Sequence, residues 1–179
     1  NISVNLGYTN SILEYDQAGL NNYQYDRPSI SVSYNFAPSW STGVSYTYTD
    51  AEFDITEDFT SHNVGVNLGY THSVRDSFSA GANYSEKNYD TIDPETPDPR
   101  NDYYVVSGSL GWTHNFSPHK TLVMSGGPAY IHRTDEENDT SQNFDIRYIS
   151  RFETGSWFIG AHGGYEDRSF QGYEDGLSE

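Results

Sequence analysis

"VNLGYTHS" runs from Val66 to Ser73 and "VNLGYTNS" from Val4 to Ser11, so the chain carries nearly the same eight residues twice. In both copies, apolar residues alternate with small polar ones until an aromatic residue precedes a polar break. Alternation with a period of two is typical of a β-strand with one apolar and one polar face. A looser version, "SLGWTHNFS", occupies 109–117. The repeat therefore indicates a β structure built from similar strands.

The same alternation continues along most of the 179 residues, as where Ile30, Val32 and Tyr34 alternate with Ser31 and Ser33. Aromatic residues make up 16% of the chain, and these residue types favour strands. No segment has convincing helical periodicity. We predict an all-β, antiparallel up-and-down fold with about nine or ten strands.

The strand count depends on the first segment. If Tyr8 ends a strand as Tyr70 does, the chain has ten strands; one long strand over 1–16 gives nine. The repeat favours ten.

Two kinds of connection alternate along the chain, which is the pattern of consecutive hairpins in one domain, 1–179. Short turns are predicted near 37–39, 72–76, 115–119 and 153–155. Long acidic loops are predicted at 50–61, 86–102, 134–142 and 167–179.

The net charge of −17 argues against nucleic acid as a partner, because phosphate binding needs clustered Lys and Arg. The chain has no Cys, which excludes disulfides and thiolate metal sites. No apolar run is long enough for a membrane helix.

The two faces of the predicted strands differ in a way that favours a membrane barrel over a soluble sandwich. The polar face carries mostly Ser, Gly, Asn and Thr, which suits an enclosed lumen better than a solvated surface. The predicted lumen-facing residues are Asn67, Asn83, Asp145, Arg147, Arg151 and His162. The apolar face has aromatic residues at both ends, as at the two interfaces of a bilayer. The predicted interface residues include Trp40, Tyr70, Tyr84, Trp112, Tyr130, Trp157 and Tyr165.

Three hairpin units carry a family resemblance: "SVSYNFAPSWSTGVSYTY" (31–48), "VNLGYTHSVRDSFSAGANYS" (66–85) and "SLGWTHNFSPHKTLVMSGGPAY" (109–130). They resemble bacterial outer-membrane β-barrels of the porin-like superfamily, and look most like the barrels of exopolysaccharide export or other secretion systems. The resemblance implies a Gram-negative outer membrane, with extracellular long loops and periplasmic short turns. It implies outer-membrane lipid as a partner, together with other subunits of a secretion or surface assembly. Such barrels usually end on an aromatic strand, whereas this chain ends in "GYEDGLSE", so we expect a segment of a larger barrel.

These features predict a pore or conduit for transport or secretion across the outer membrane. One alternative is a scaffold barrel that anchors or sheathes a surface assembly, and a second is a soluble β-sandwich binding module.

Catalytic and metal sites have little support in the sequence. The acidic loop 86–102 raises the alternative of a Ca²⁺ site, but it lacks EF-hand spacing, and proline-rich acidic loops are usually just solvated. Ser and His are present, but no G-x-S-x-G nucleophile motif occurs. We expect no cofactor and no enzymatic activity.

Overall fold

The computed structural model describes residues 1–14, 22–54, 57–90, 102–134, 137–164, 166–167 and 177–178. Nine strands form one antiparallel sheet in which every strand pairs with its neighbours in the chain. They are β1 (Ile2–Leu13), β2 (Tyr23–Ala37), β3 (Trp40–Phe53), β4 (Phe59–Thr71), β5 (Asp76–Tyr89), β6 (Tyr103–Ser117), β7 (Lys120–Arg133), β8 (Asp139–Phe152) and β9 (Gly155–Gly163). Two short strands, β10 (Glu166–Asp167) and β11 (Leu177–Ser178), pair with each other. Within the described residues, no helix is long and apolar enough to cross a membrane.

The sheet confirms the all-β, up-and-down prediction, but the preference for ten strands was wrong. β1 does not end at Tyr8; it continues to Leu13, which pairs with Tyr23 of β2. The polar residues that suggested a turn are held in the ladder, where Asn10 Nδ2 donates to Asp26 Oδ1 at 2.9 Å.

The two copies of the repeat run in opposite directions. β1 is an odd-numbered strand and β4 an even-numbered one, so the antiparallel order points them to opposite ends of the sheet. Tyr8 therefore lies toward the long-loop end, whereas Tyr70 lies beside a short turn. The repeat specifies strand conformation and face but not direction.

Short turns at 38–39, 72–75, 118–119 and 153–154 join the strands, and the strands extend into the segments predicted as long loops. β3 continues to Phe53 and β4 begins at Phe59, so the loop predicted at 50–61 is much shorter. Ala51 pairs with Phe59 across this connection, because these apolar residues between the acids gain from burial on one face. The loop predicted at 134–142 also shortens, since β8 begins at Asp139. Most of the loops predicted at 86–102 and 167–179 lies outside the described residues.

Cross-strand register sorts the side chains onto two faces, because directly opposed residues share a face. One row of directly opposed residues crosses eight strands. We call the side of the sheet that carries this row the polar face, and the opposite side the apolar face. The row consists of Asn35, Ser41, Gly69, Ser79, Gly111, Ser125, Asp145 and His162.

Glycines on the polar face lie opposite polar side chains of the neighbouring strand. A Cβ on Gly69 would lie 2.7 Å from Ser41 Oγ, and one on Gly65 would lie 2.8 Å from Ser45 Oγ. Side chains of the adjacent strands thus lie over these glycines, and a larger residue would require the serine hydroxyls to move.

β1 and β9 are the two edges of the sheet within the described residues. In an up-and-down sheet of nine strands, the first and last strands run in the same direction. Closing this sheet through antiparallel pairs alone would therefore require an odd number of further strands between its edges.

Two strands contain an internal proline, and each interrupts the ladder on one side only. Pro28 pairs with Tyr8 of β1, but no pairing with β3 continues at its level. Pro128 pairs with Gln142 of β8, while the β6 ladder is interrupted beside it. This asymmetry is expected of a residue that has no amide hydrogen to donate.

Gly127→Ala tests the close approach of β6 and β7 beside Pro128. A Cβ on Gly127 would overlap the backbone oxygen of Gly108, whereas a Cβ on Gly108 has its nearest neighbour at 4.0 Å. We expect Gly127→Ala to lower the free energy of unfolding by about 1–3 kcal/mol, because the backbone must shift. The control, Gly108→Ala, should have a free energy of unfolding close to that of the wild type, as measured by urea denaturation. Equal stability of the two variants would contradict this packing.

Candidate functional site

The apolar face is exposed across the whole sheet. Near its middle, Val66 is 49% exposed and Leu110 is 71% exposed. Soluble monomers rarely leave a contiguous apolar surface of this extent uncovered. Other exposed residues of this face are Val4, Leu6, Ile30, Val32, Val44, Val64, Leu68, Phe144, Ile146 and Ile159. The face is therefore built to contact an apolar medium or an apolar partner.

Aromatic rings line the short-turn end of the apolar face and contact one another. We call them the lower belt. Trp40 stacks beside Phe36 with ring centroids 6.2 Å apart, and beside Tyr70 at 4.6 Å. A second group at the same level consists of Trp112, His114, Phe116, Tyr148 and Trp157.

Asp76 fixes part of the lower belt. Its Oδ1 accepts a hydrogen bond from Trp112 Nε1 at 3.1 Å and lies 2.8 Å from His114 Nδ1. The carboxylate thus orients both rings from the neighbouring strand. The sequence assigned Asp76 to a turn, and its position opposite His114, diagonal to Trp112, becomes visible only in the β5–β6 register.

The long-loop end of the apolar face carries a second set of aromatic residues with polar partners, which we call the upper belt. The Tyr46 hydroxyl lies 2.8 Å from His62 Nδ1, and the Tyr84 hydroxyl donates to Glu86 Oε2 at 3.0 Å. Tyr130 belongs to this belt, with its ring 6.4 Å from that of Tyr104. Six of the seven predicted interface aromatics lie on the apolar face at one end or the other; the seventh, Tyr165, lies outside the described residues.

The two belts are eight residues apart on β3 and on β6. Eight residues separate Trp40 from Tyr48 on β3, and eight separate Tyr104 from Trp112 on β6. At about 3.4 Å per residue, it corresponds to about 27 Å along the strand.

All six residues predicted for the lumen share the polar face. Register pairs Asn67 with Gly81, Asn83 with Gly65, and Asp145 with His162. On β8, Arg147 Nη2 donates to Asp145 Oδ2 at 3.4 Å, and Arg151 follows on the same face, opposite Ser156. The polar face therefore carries the predicted row of charges.

The long-loop end of the polar face differs from the prediction of small polar residues. Here apolar and aromatic side chains from five adjacent strands are buried together. We call them the inner core: Ala51, Phe59, Tyr89, Tyr103, Val105, Ala129 and Ile131. Lys87 is buried among them at 3% exposure, with its Nζ 4.1 Å from the centre of the Phe59 ring. The sequence interpretation missed the inner core because Phe59 and Tyr89 had been assigned to acidic loops.

The calcium alternative gains no site among the residues that the structure describes. Among the described residues, no group of three or more His, Asp or Glu side chains is arranged to hold a metal ion. The acidic loop that raised the calcium alternative lies mainly outside the described ranges.

Phe59→Ala tests the inner core. Phe59 is 1% exposed, so its truncation should lower the free energy of unfolding by about 3–5 kcal/mol. The matched control is Phe144→Ala on the apolar face. The Phe144 side chain is 50% exposed, so its truncation should lower the free energy of unfolding much less. Chemical denaturation in detergent, followed by tryptophan fluorescence, measures both. Comparable losses in the two variants would contradict the burial of Phe59.

Known proteins offer one distant likeness to this chain. No protein-family model matches the chain, and no curated protein matches it. Among solved structures, it is similar to the outer membrane protein OprG from Pseudomonas aeruginosa, over 91% of this chain and 90% of that one. The sequence identity is 13% and the TM-score is 0.31, so a function for this chain must be inferred from its own geometry.

Proposed function

We propose that this chain forms the wall of an outer-membrane β-barrel that conducts polar solutes or a secreted polymer across the membrane. One observation carries the proposal: the sheet exposes an apolar face between two aromatic belts and turns a crowded, polar face to the other side. A lipid-spanning sheet needs this arrangement, because its side chains face hydrocarbon while every backbone group must be paired.

The belt spacing supports a membrane fit. Strands of outer-membrane barrels are tilted by about 35–45°, so the separation along the strand becomes about 20 Å along the membrane normal. This approaches the apolar band of about 25 Å that is typical of such barrels. On this proposal Trp40, Tyr70 and Trp112 lie at the periplasmic interface, and Tyr84 and Tyr130 at the outer one.

Two other functions make different demands on the same sheet. A soluble β-sandwich would need a second sheet over the apolar face, and among the described residues only the short β10–β11 pair lies outside the nine strands. A scaffold barrel would need a filled interior. The inner core favours this second candidate, because it fills the polar face at one end.

The need for detergent during purification and the ion conductance of a planar bilayer distinguish these three functions. We expect the full chain to require detergent and to raise the ion conductance of a planar bilayer. A stable, water-soluble monomer would contradict a membrane function. Insertion without conductance would leave the scaffold barrel as the better proposal.

Leu68→Arg tests which face meets lipid. Leu68 lies on the apolar face, where an Arg near the bilayer midplane costs about 2–4 kcal/mol. We expect folding into lipid vesicles to fail or fall sharply, measured by the shift between folded and unfolded bands on a gel. Asn67→Arg is the control, because the adjacent residue faces the other side and is also exposed. If Asn67→Arg impairs insertion and Leu68→Arg does not, the face assignment is reversed.

A further inference from the structure

A groove runs along β7 on the apolar face. Gly126 has no side chain, and register places it between Leu110 of β6 and Phe144 of β8. These two neighbours are 71% and 50% exposed, so their side chains stand on either side of the glycine. We call this depression the β7 groove. It is lined mainly by the side chains of Phe78, Leu110, Trp112, Met124, Phe144 and Ile146, and these apolar walls suit a hydrocarbon chain.

One cation lies in line with the β7 groove. Lys120 and Gly126 are both on the apolar face of β7, because alternate residues of a strand point to the same side. Lys120 is exposed, and no acid among the described residues forms an ion pair with it. The other Lys and Arg residues of the nine strands lie on the polar face: Arg27, Lys87, Arg133, Arg147 and Arg151. Lys120 is therefore the strand cation that can meet a ligand on the apolar face.

The spacing along β7 matches one leaflet of a bilayer. Lys120 lies at the short-turn end, six residues before Gly126. At about 3.4 Å per residue, this corresponds to about 20 Å along the strand. With a strand tilt of about 35–45°, it becomes about 15 Å along the membrane normal, which is half of a hydrocarbon core of about 30 Å. A lipid whose phosphate lies at Lys120 can therefore lay an acyl chain along the β7 groove.

The acids of the apolar face favour the short-turn end as the place for an anionic head group. In the nine strands, this face carries four carboxylates at the long-loop end: Asp26, Asp50, Glu52 and Glu86. A fifth, Asp76, lies at the short-turn end, where Trp112 and His114 hydrogen-bond to it. The long-loop end repels a phosphate, whereas the exposed ammonium group of Lys120 attracts it.

We propose that β7 binds one anionic phospholipid from the leaflet beside the short turns, with its phosphate at Lys120 and an acyl chain in the β7 groove. This inference rests on the membrane location in the proposed function and names a lipid partner; it does not require an open lumen. A Lys near a membrane surface attracts anionic lipid of any kind. The groove adds a shape that holds one chain beside that charge.

Quenching of Trp112 fluorescence tests the site. Trp112 borders the groove, and the background variant Trp40→Phe/Trp157→Phe leaves it as the single tryptophan of the chain. The full-length protein in detergent micelles is titrated with phosphatidylglycerol or phosphatidylcholine whose acyl chains carry bromine, which quenches nearby tryptophan. We expect phosphatidylglycerol to quench at about fivefold lower concentration, which is the effect of one Lys near a lipid head group.

Variants separate the charge from the groove. Lys120→Gln should abolish the preference for phosphatidylglycerol, and Lys120→Arg should retain it. The matched control is Arg151→Gln, which removes a cation at the same end of the sheet but on the polar face, and should leave the preference unchanged. Both residues are exposed, so these variants keep the fold.

Two leucines test the groove wall. Leu110→Ala should weaken quenching by phosphatidylglycerol about threefold, because the acyl chain loses apolar contact area. The control is Leu6→Ala, since Leu6 lies on the apolar face of β1 and is 79% exposed, but is far from β7. It should leave quenching unchanged.

The outcomes distinguish this inference from the proposed function. Equal quenching by the two lipids, or an equal loss in Lys120→Gln and Arg151→Gln, overturns the lipid site and leaves the conduit intact. Equal effects of Leu110→Ala and Leu6→Ala overturn the groove as the place of the chain. A water-soluble monomer overturns the membrane function and the inference with it. Selective quenching in a protein that does not conduct supports the lipid site and overturns the conduit alone.

Discussion

Eight antiparallel ladders underlie every feature of this sheet; six keep a single register throughout, and two shift only beside a short turn, at 35–37 and at 115–117. Because opposed residues share a face, a slip of one residue in any ladder would move a whole strand's apolar side chains to the polar side. The aromatic belts, the contact of Gly69 with Ser41 and the inner core all depend on this register. The short turns support this register, because each joins two neighbouring strands through only a few residues.

The faces of the sheet could be predicted from alternation alone, but its directions and strand ends could not. A period of two is the same in both directions along a strand, so "VNLGYT" gave no sign that β1 and β4 run oppositely. Asn10 looked like a turn residue because nothing in its local sequence reveals the partner at Asp26. Strand ends depend on such long-range pairs, which a single sequence does not display.

The structure places Asn67 and Arg147 on the polar face, but at the long-loop end this face carries the inner core and not the small polar residues that were predicted. Acidic residues made segments such as 50–61 resemble loops, although Ala51, Phe53 and Phe59 preserve the alternation within them. The pairs Asp26–Arg27 and Glu86–Lys87 carry a further signal, because neighbours of opposite charge within a strand must lie on opposite faces. A period of two in charge, and not only in hydrophobicity, therefore locates the cations of the polar face.

Each strand of the sheet pairs only with the strands that precede and follow it in the chain, and this has a consequence for assembly. Each strand, once placed, presents a complete backbone edge to the segment that comes next in the chain, so the sheet can grow from one end without any long loop having to close first. Folding in this order leaves only two strands with an unpaired edge at any time, β1 and the strand added last, which limits how much sheet edge is open to aggregation. The order of the strands thus lets a chain that is polar in composition build an extended apolar surface one hairpin at a time.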